Sequence, residues 1–220
     1  MDILEDLLVA PEIPEPLVNL QLPDPALVNY FNDVSRRSYY LEGEIDDTTL
    51  ELIKLIFRYN AADKNITNPE ERVPIRIFIN STGGDVQVMW SVVNAIRLSK
   101  TPVHTIAYCN AMSAAAHILA SGHKRYAMPG TTILVHSGSC QFTGDVEKVE
   151  SAKRYYDALS KRANDMLLSQ TKLQAKDLKK KGASDWYMTE EDALENGIID
   201  AIVSDIDTVC AIFNPEEGIR

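Results

Sequence analysis

Two rhythms of apolar and polar positions alternate along this chain, one of period two and one of period about 3.6. "RSYYLEGEI" (37–45) predicts a strand ending at Gly43. "DDTTLELIKLIFRYNAAD" (46–63) predicts a helix capped by Asp46 or Asp47, with Leu50, Ile53, Leu55 and Ile56 as its apolar stripe. "VPIRIFIN" (73–80) predicts an apolar-rich strand, followed by the turn "STGGD" and a helix over about 85–99. "TPVHTIAYC" (101–109) predicts another strand, 113–121 another helix, and Thr132 to His136 a strand within "KRYAMPGTTILVHS". The longest helix is predicted over 145–170, where Val149, Ala152, Tyr156, Leu159, Ala163, Met166 and Leu167 recur at three and four residues.

Strands alternating with helices imply an α/β fold with a largely parallel sheet and covered faces. In such sheets ligands bind beyond the carboxyl ends of the strands. The unusual residues fall at those ends: Gly83 and Gly84 after the strand 73–80, Ser113 after the strand 101–109, and His136 at the end of the strand 132–136.

A chain of 220 residues with 45% hydrophobic content can bury one substantial core, so one domain is expected. Its net charge of −10 argues against nucleic acid or an anionic membrane as the main partner. The apolar runs are short and interrupted, which argues against a membrane span. Cys109, Cys140 and Cys210 have no metal-ligand spacing and fit free, structural thiols in a reducing compartment, the cytoplasm. Neither metal nor cofactor is expected. The start, "MDILEDLLVAPEIPEPLVNLQLPDPALVNYF", is acidic and proline-rich and does not read as a secretory signal. Residues 1–30 are expected to form an extended arm or removable leader, because the prolines forbid a long helix there. A disordered tail is the alternative.

These residue types suit nucleophilic catalysis. A serine hydroxyl attacks only when a neighbouring base takes its proton, and histidine titrates close enough to neutrality to do so. A helix opening at Ser113 turns backbone N–H groups outward, where they can hold a developing oxyanion. Ala111, Ala114, Ala115 and Ala116 let a substrate backbone approach, and Gly83 and Gly84 can do the same at positive φ. A serine packed in an alanine-rich helix and a glycine pair in an ordinary turn are the structural alternatives. His117 reads as core packing; His104 and His123 read as strand and turn residues without chemistry.

Four segments in order, "YYLEGEIDD", "IFINSTGGDV", "NAMSAAAHILASGHKRYAMPGTTILVH" and "YMTEEDALENGIIDAI", resemble the proteolytic subunit of the Clp protease, a self-compartmentalised serine peptidase of the crotonase/ClpP superfamily. The resemblance covers roughly residues 36–205. It implies stacked ββα units with a protruding strand-helix handle at about 137–170, a peptidase domain over 31–208 and a C-terminal tail over 209–220. By it Ser113 is the nucleophile, His136 the general base, and the N–H groups of Gly83 and Ala114 the oxyanion hole. It further implies homo-oligomeric heptameric rings, stacked as a tetradecamer through the handles and fed by an AAA+ unfoldase ATPase, with peptides or unfolded proteins as substrates.

Thr82 stands where the family usually has proline, Met112 precedes the serine where a methionine usually follows it, and "SGSCQFTGD" replaces the usual continuation after the histidine. The family's third triad position aligns with Lys181, which cannot orient an imidazole. Asp185 is the nearest carboxylate beyond the longer "LKKKGASDW" segment and Asp177 the next; a Ser-His dyad and an inactive ring subunit are the remaining readings. A crotonase-like acyl-CoA enzyme would share the glycine device without needing Ser113 or His136.

Overall fold

A computed structural model describes residues 24–138 and 140–205. The start of the arm (1–23), the tail (209–220) and Cys210 lie outside the described residues. Within the part of the arm that is described, helix α1 (Pro25–Ser35) replaces the extended chain expected up to residue 30. Asp24 caps it, its side chain accepting from Ala26 N–H, and Pro25 occupies the first turn, where its missing N–H costs nothing.

Strand β1 (Ser38–Ile45) runs past Gly43 instead of ending there, because a register shift between Glu42 and Glu44 absorbs the glycine at φ +76°. Asp46 caps a 3₁₀ turn (Asp47–Thr49) that opens helix α2 (Leu50–Ala62). The buried stripe of α2 is Leu52, Leu55, Ile56 and Tyr59; Leu50 and Ile53 are only partly covered, so the expected stripe lies rotated from the real one.

Strand β2 (Ile75–Gly84) extends through the segment expected to be a turn, and helix α3 (Val86–Leu98) follows at once, with the Asp85 side chain accepting from the N–H groups of Gln87 and Val88. Strand β3 (Val103–Met112) then runs up to Ser113, and helix α4 (Ala114–Ser121) is buried along its entire length. Strand β4 (Lys124–Ala127) adds to the elements that the sequence pattern predicts, and β5 (Thr132–Val135) matches the strand predicted to end at His136 to within one residue. Helix α5 (Val146–Gln170) is the long helix, though the described residues between 137 and 145 form no strand beside it. Helix α6 (Ala175–Lys181), a 3₁₀ turn (Gly182–Ser184), strand β6 (Trp186–Met188), helix α7 (Glu190–Glu195) and strand β7 (Ala201–Ile202) complete the described chain.

The seven strands form one sheet in the order β1-β2-β3-β4-β7, with β5 joined to β3 and β6 to β5. Every pairing is parallel except β5 with β6. Strand β3 forks: its first half (His104–Ala107) pairs with β4, and its last residues (Asn110–Met112) pair with β5. The fork aims β5 at the carboxyl end of β3. A single large core joins the sheet to α2, α3, α4 and the C-terminal half of α5, with Leu52, Ile77, Val92, Ile96 and Leu119 fully buried within it. A bidentate ion pair from Arg37 to Asp63, at 2.6 and 2.7 Å, ties the start of β1 to the end of α2. It also holds the Asp63 carboxyl below its usual range.

Candidate active site

Sheet geometry gathers the three strand ends. Ser81 of β2 lies in register with Ala111 of β3, and Met112 of β3 with Leu134 of β5, so Ser113 emerges between them with its N–H donating to Leu134 O at 2.9 Å. Ser113 has φ +54° and ψ −120°, a left-handed conformation uncommon for a residue other than glycine. The sharp turn from strand to helix demands it. The result is a serine held at the mouth of α4 by backbone bonds on both sides, since its carbonyl accepts from Ala116 N–H at 3.0 Å.

His136 follows directly on β5, and its Nε2 lies 2.7 Å from Ser113 Oγ. The antiparallel pairing of β5 with β6 sets Val135 opposite Trp186, so the next pair outward brings His136 beside Asp185. His136 Nδ1 lies 3.1 Å from Asp185 Oδ1. The approach is completed by the 3₁₀ turn Gly182–Ser184, by Asp185 at φ +49°, and by Ser137 N–H donating to Gly182 O at 2.8 Å. A carboxylate only accepts, so a proton on Nδ1 faces Asp185 and leaves Nε2 as the acceptor toward Ser113. Asp177, on α6, makes no ion pair with His136, and the Lys181 ammonium lies over the Trp186 ring at 4.2 Å. Of the two carboxylates considered, Asp185 alone is close. Its side chain is half exposed, whereas that of His136 is mostly covered.

Gly83 packs against the serine turn. A Cβ on this residue, at φ +102°, would lie 2.7 Å from Ser113 Cβ and 3.1 Å from Ala114 N. Only glycine brings the β2 backbone this close to the first N–H of α4. The Gly83 N–H donates to Ser81 Oγ at 3.1 Å, so this donor is engaged in the resting site. Ala114 is buried at the helix start.

A cleft of about 560 Å³ opens beside Ser113, His136 and Asp185, walled by α3, α4 and α5. His117, one helical turn beyond Ser113, is buried as expected, but it also forms part of the cleft wall. Its Nδ1 lies 3.0 Å from Ser113 O. Burial lowers its pKa, which keeps the ring neutral. Periodicity alone gave no sign of this second role, because a histidine on an apolar helix face reads as core. His104, in β3, and His123, whose Nδ1 accepts from Val103 N–H at 2.9 Å, lie away from the cleft. Cys109 and Cys140 are free thiols, exposed instead of packed as structural residues. Among the described residues no group of three His, Cys, Asp or Glu side chains is arranged to hold a metal ion. No helix among them is long and apolar enough to cross a membrane.

Comparison with known proteins shows the family. A family model described as Clp protease matches residues 30–205. The "ATP-dependent Clp protease proteolytic subunit" of Deinococcus radiodurans is 32% identical over 138 residues, covering 62% of this chain and 67% of that protein. With a match across most of the chain and a serine-histidine contact at the strand ends, the protein belongs to the Clp protease family of serine-type endopeptidases.

Proposed function

We propose that this chain hydrolyses peptide bonds with Ser113 as nucleophile, His136 as general acid-base and Asp185 as the group that orients His136. The observation that carries the reading is the pair of contacts on one imidazole, 2.7 Å from Nε2 to Ser113 Oγ and 3.1 Å from Nδ1 to Asp185 Oδ1. Both distances suit proton transfer and tautomer control. Oγ attacks the scissile carbonyl carbon as its proton passes to Nε2, and the carbonyl oxygen becomes an oxyanion facing the N–H groups of Ala114 and Gly83. Ser81 Oγ releases the Gly83 N–H as the oxyanion, a stronger acceptor, takes it. The imidazolium then protonates the departing amine, and water, deprotonated by the same nitrogen, hydrolyses the acyl-enzyme.

The substrates are unfolded polypeptides or peptides, cleaved inside a chamber built from heptameric rings stacked as a tetradecamer and fed by an AAA+ unfoldase ATPase. Supporting assembly, α1 buries none of its residues and exposes Leu27, Tyr30 and Phe31, while the N-terminal half of α5 leaves Val146 and Tyr155 exposed. The buried positions of α5 are Leu159, Ala163, Met166 and Leu167, all in its second half, so the first half is free to meet another copy. A reducing compartment, the cytoplasm, suits the free thiols.

Ser113→Ala tests the chemistry. Peptide hydrolysis by the assembled variant is expected to fall by on the order of 10⁴ or more, and His136→Ala is expected to behave alike. Turnover by Ser113→Ala comparable to the parent protein contradicts the serine mechanism. An inert parent protein in the same assay identifies a structural ring subunit instead.

A further inference from the structure

Among the described residues two buried side-chain polar atoms have no partner, Trp90 Nε1 and His117 Nε2. His117 lines the candidate cleft. His117 Nδ1 faces the Ser113 carbonyl, which can only accept, so the proton of the neutral ring sits on Nδ1. Nε2 is then a lone pair, buried and unsatisfied. Such a group carries a penalty that an incoming donor removes and an incoming methyl group does not.

We propose that the cleft selects substrates whose residue on the carbonyl side of the cleaved bond carries a side-chain N–H or O–H donor, and that His117 Nε2 accepts it. The inference rests on the hydrolytic reading above. His117 lies one turn into the helix that Ser113 precedes and lines the same cleft, so the side chain that meets it is the one attached to the carbonyl that Ser113 attacks. The cleft lining mixes apolar Val86, Met89 and Leu134 with polar Thr82, Ser160 and Asn164, and of the two buried side-chain atoms without a partner among the described residues only His117 Nε2 belongs to a lining residue. Nε2 is shielded from water. Met89 and Met112, unbranched and adaptable, are the side chains whose repacking admits the substrate group. Amide and hydroxyl side chains of asparagine, glutamine and threonine fit this requirement; leucine and valine of similar size do not. Because burial keeps the ring neutral, the acceptor persists across the neutral pH range.

The experiment compares fluorogenic peptides that differ only at this residue, Asn against Leu and Thr against Val, with the assembled full chain. The wild-type kcat/KM is expected to favour the donor-bearing member of each pair by about tenfold. His117→Leu is expected to reverse the Asn-to-Leu order. A wild-type enzyme that cleaves the leucine peptide as well as or better than the asparagine peptide overturns the proposal, whether or not the variant folds. A donor preference that survives intact in His117→Leu overturns it as well. Fluorophosphonate labelling of Ser113 in the same wild-type preparation separates the two layers: labelled, hydrolysing protein without the preference refutes only the role of His117, whereas protein that neither labels nor hydrolyses removes the hydrolytic reading beneath it.

Discussion

Asp185 stands four residues beyond the position that the family pattern would give to the orienting carboxylate, yet it faces His136 at 3.1 Å. Asp185→Asn is expected to leave the fold intact and reduce turnover roughly 10²–10⁴-fold, because the amide accepts the wrong tautomer and cannot balance the imidazolium. The half-exposed setting of Asp185 places the expected effect toward the lower end, since water partly substitutes for the lost carboxylate. Asp177→Asn is expected to be nearly neutral. Steady-state kinetics on both variants checks this, and full activity in Asp185→Asn contradicts the assignment. A second residue-scale expectation concerns acid stability. Burial in β3, reinforced by Lys124, Arg76 and His123, pushes His104 down to about 4. An unfolded chain takes up that proton below about 6.5, the folded chain only near 4, so the unfolded state binds more protons across this window and stability falls as pH drops through it. The loss over the full window is on the order of 3 kcal/mol. Denaturant titrations at pH 7 and 4.5 are expected to show a smaller acid loss for His104→Thr than for the parent; an equal loss contradicts the account.

The elements explain why some of the site was legible in the chain and some was not. Alternating strands and helices placed Gly83, Ser113 and His136 at strand ends correctly, because a parallel sheet sends every strand's carboxyl end to one side. Boundaries were harder. Gly83 and Gly84 read as a turn, whereas parallel pairing to Glu44 and Ile45 carries β2 straight through them. Gly43 read as a strand end because a bulge is invisible to periodicity. The closeness of Asp185 to His136 depends on the antiparallel register of a three-residue strand, β6, a long-range pairing with almost no local signature. Proline suggested an extended arm, but at the first turn of α1 it promotes the helix. The two glycines now separate cleanly by experiment. Gly83→Ala drives a methyl group against Ser113 Cβ and Met112 O, and turnover is expected to fall by on the order of 10²–10³, the scale of losing one oxyanion donor. Gly43→Ala meets nothing within 4 Å and is expected to cost about 1–2 kcal/mol of stability for its positive φ while leaving turnover unchanged. Thermal unfolding and kinetics on the pair check both halves, and a fully active Gly83→Ala argues against that backbone's part in the site.

At the scale of the whole molecule, the described surface exposes a large apolar group on each of four helices. Phe31 on α1, Phe57 on α2, Leu98 on α3 and Val146 on α5 are each more than 60% exposed. The proposed assembly would cover such groups, so sedimentation is expected to show rings and their pairs; a 24.5 kDa species alone at working concentration contradicts assembly. Charged substitutions at Val146 and Tyr155 are expected to separate stacked rings without dissolving them. Assembly and chemistry meet in the central claim, that an activated serine lies at the mouth of α4. The measurement that tests it most directly is fluorophosphonate labelling of the assembled protein, followed by mass spectrometric mapping of the modified residue. Stoichiometric modification is expected at Ser113, abolished in Ser113→Ala and strongly slowed in His136→Ala. An assembled, folded protein that stays unmodified, or that is modified elsewhere, would contradict the claim.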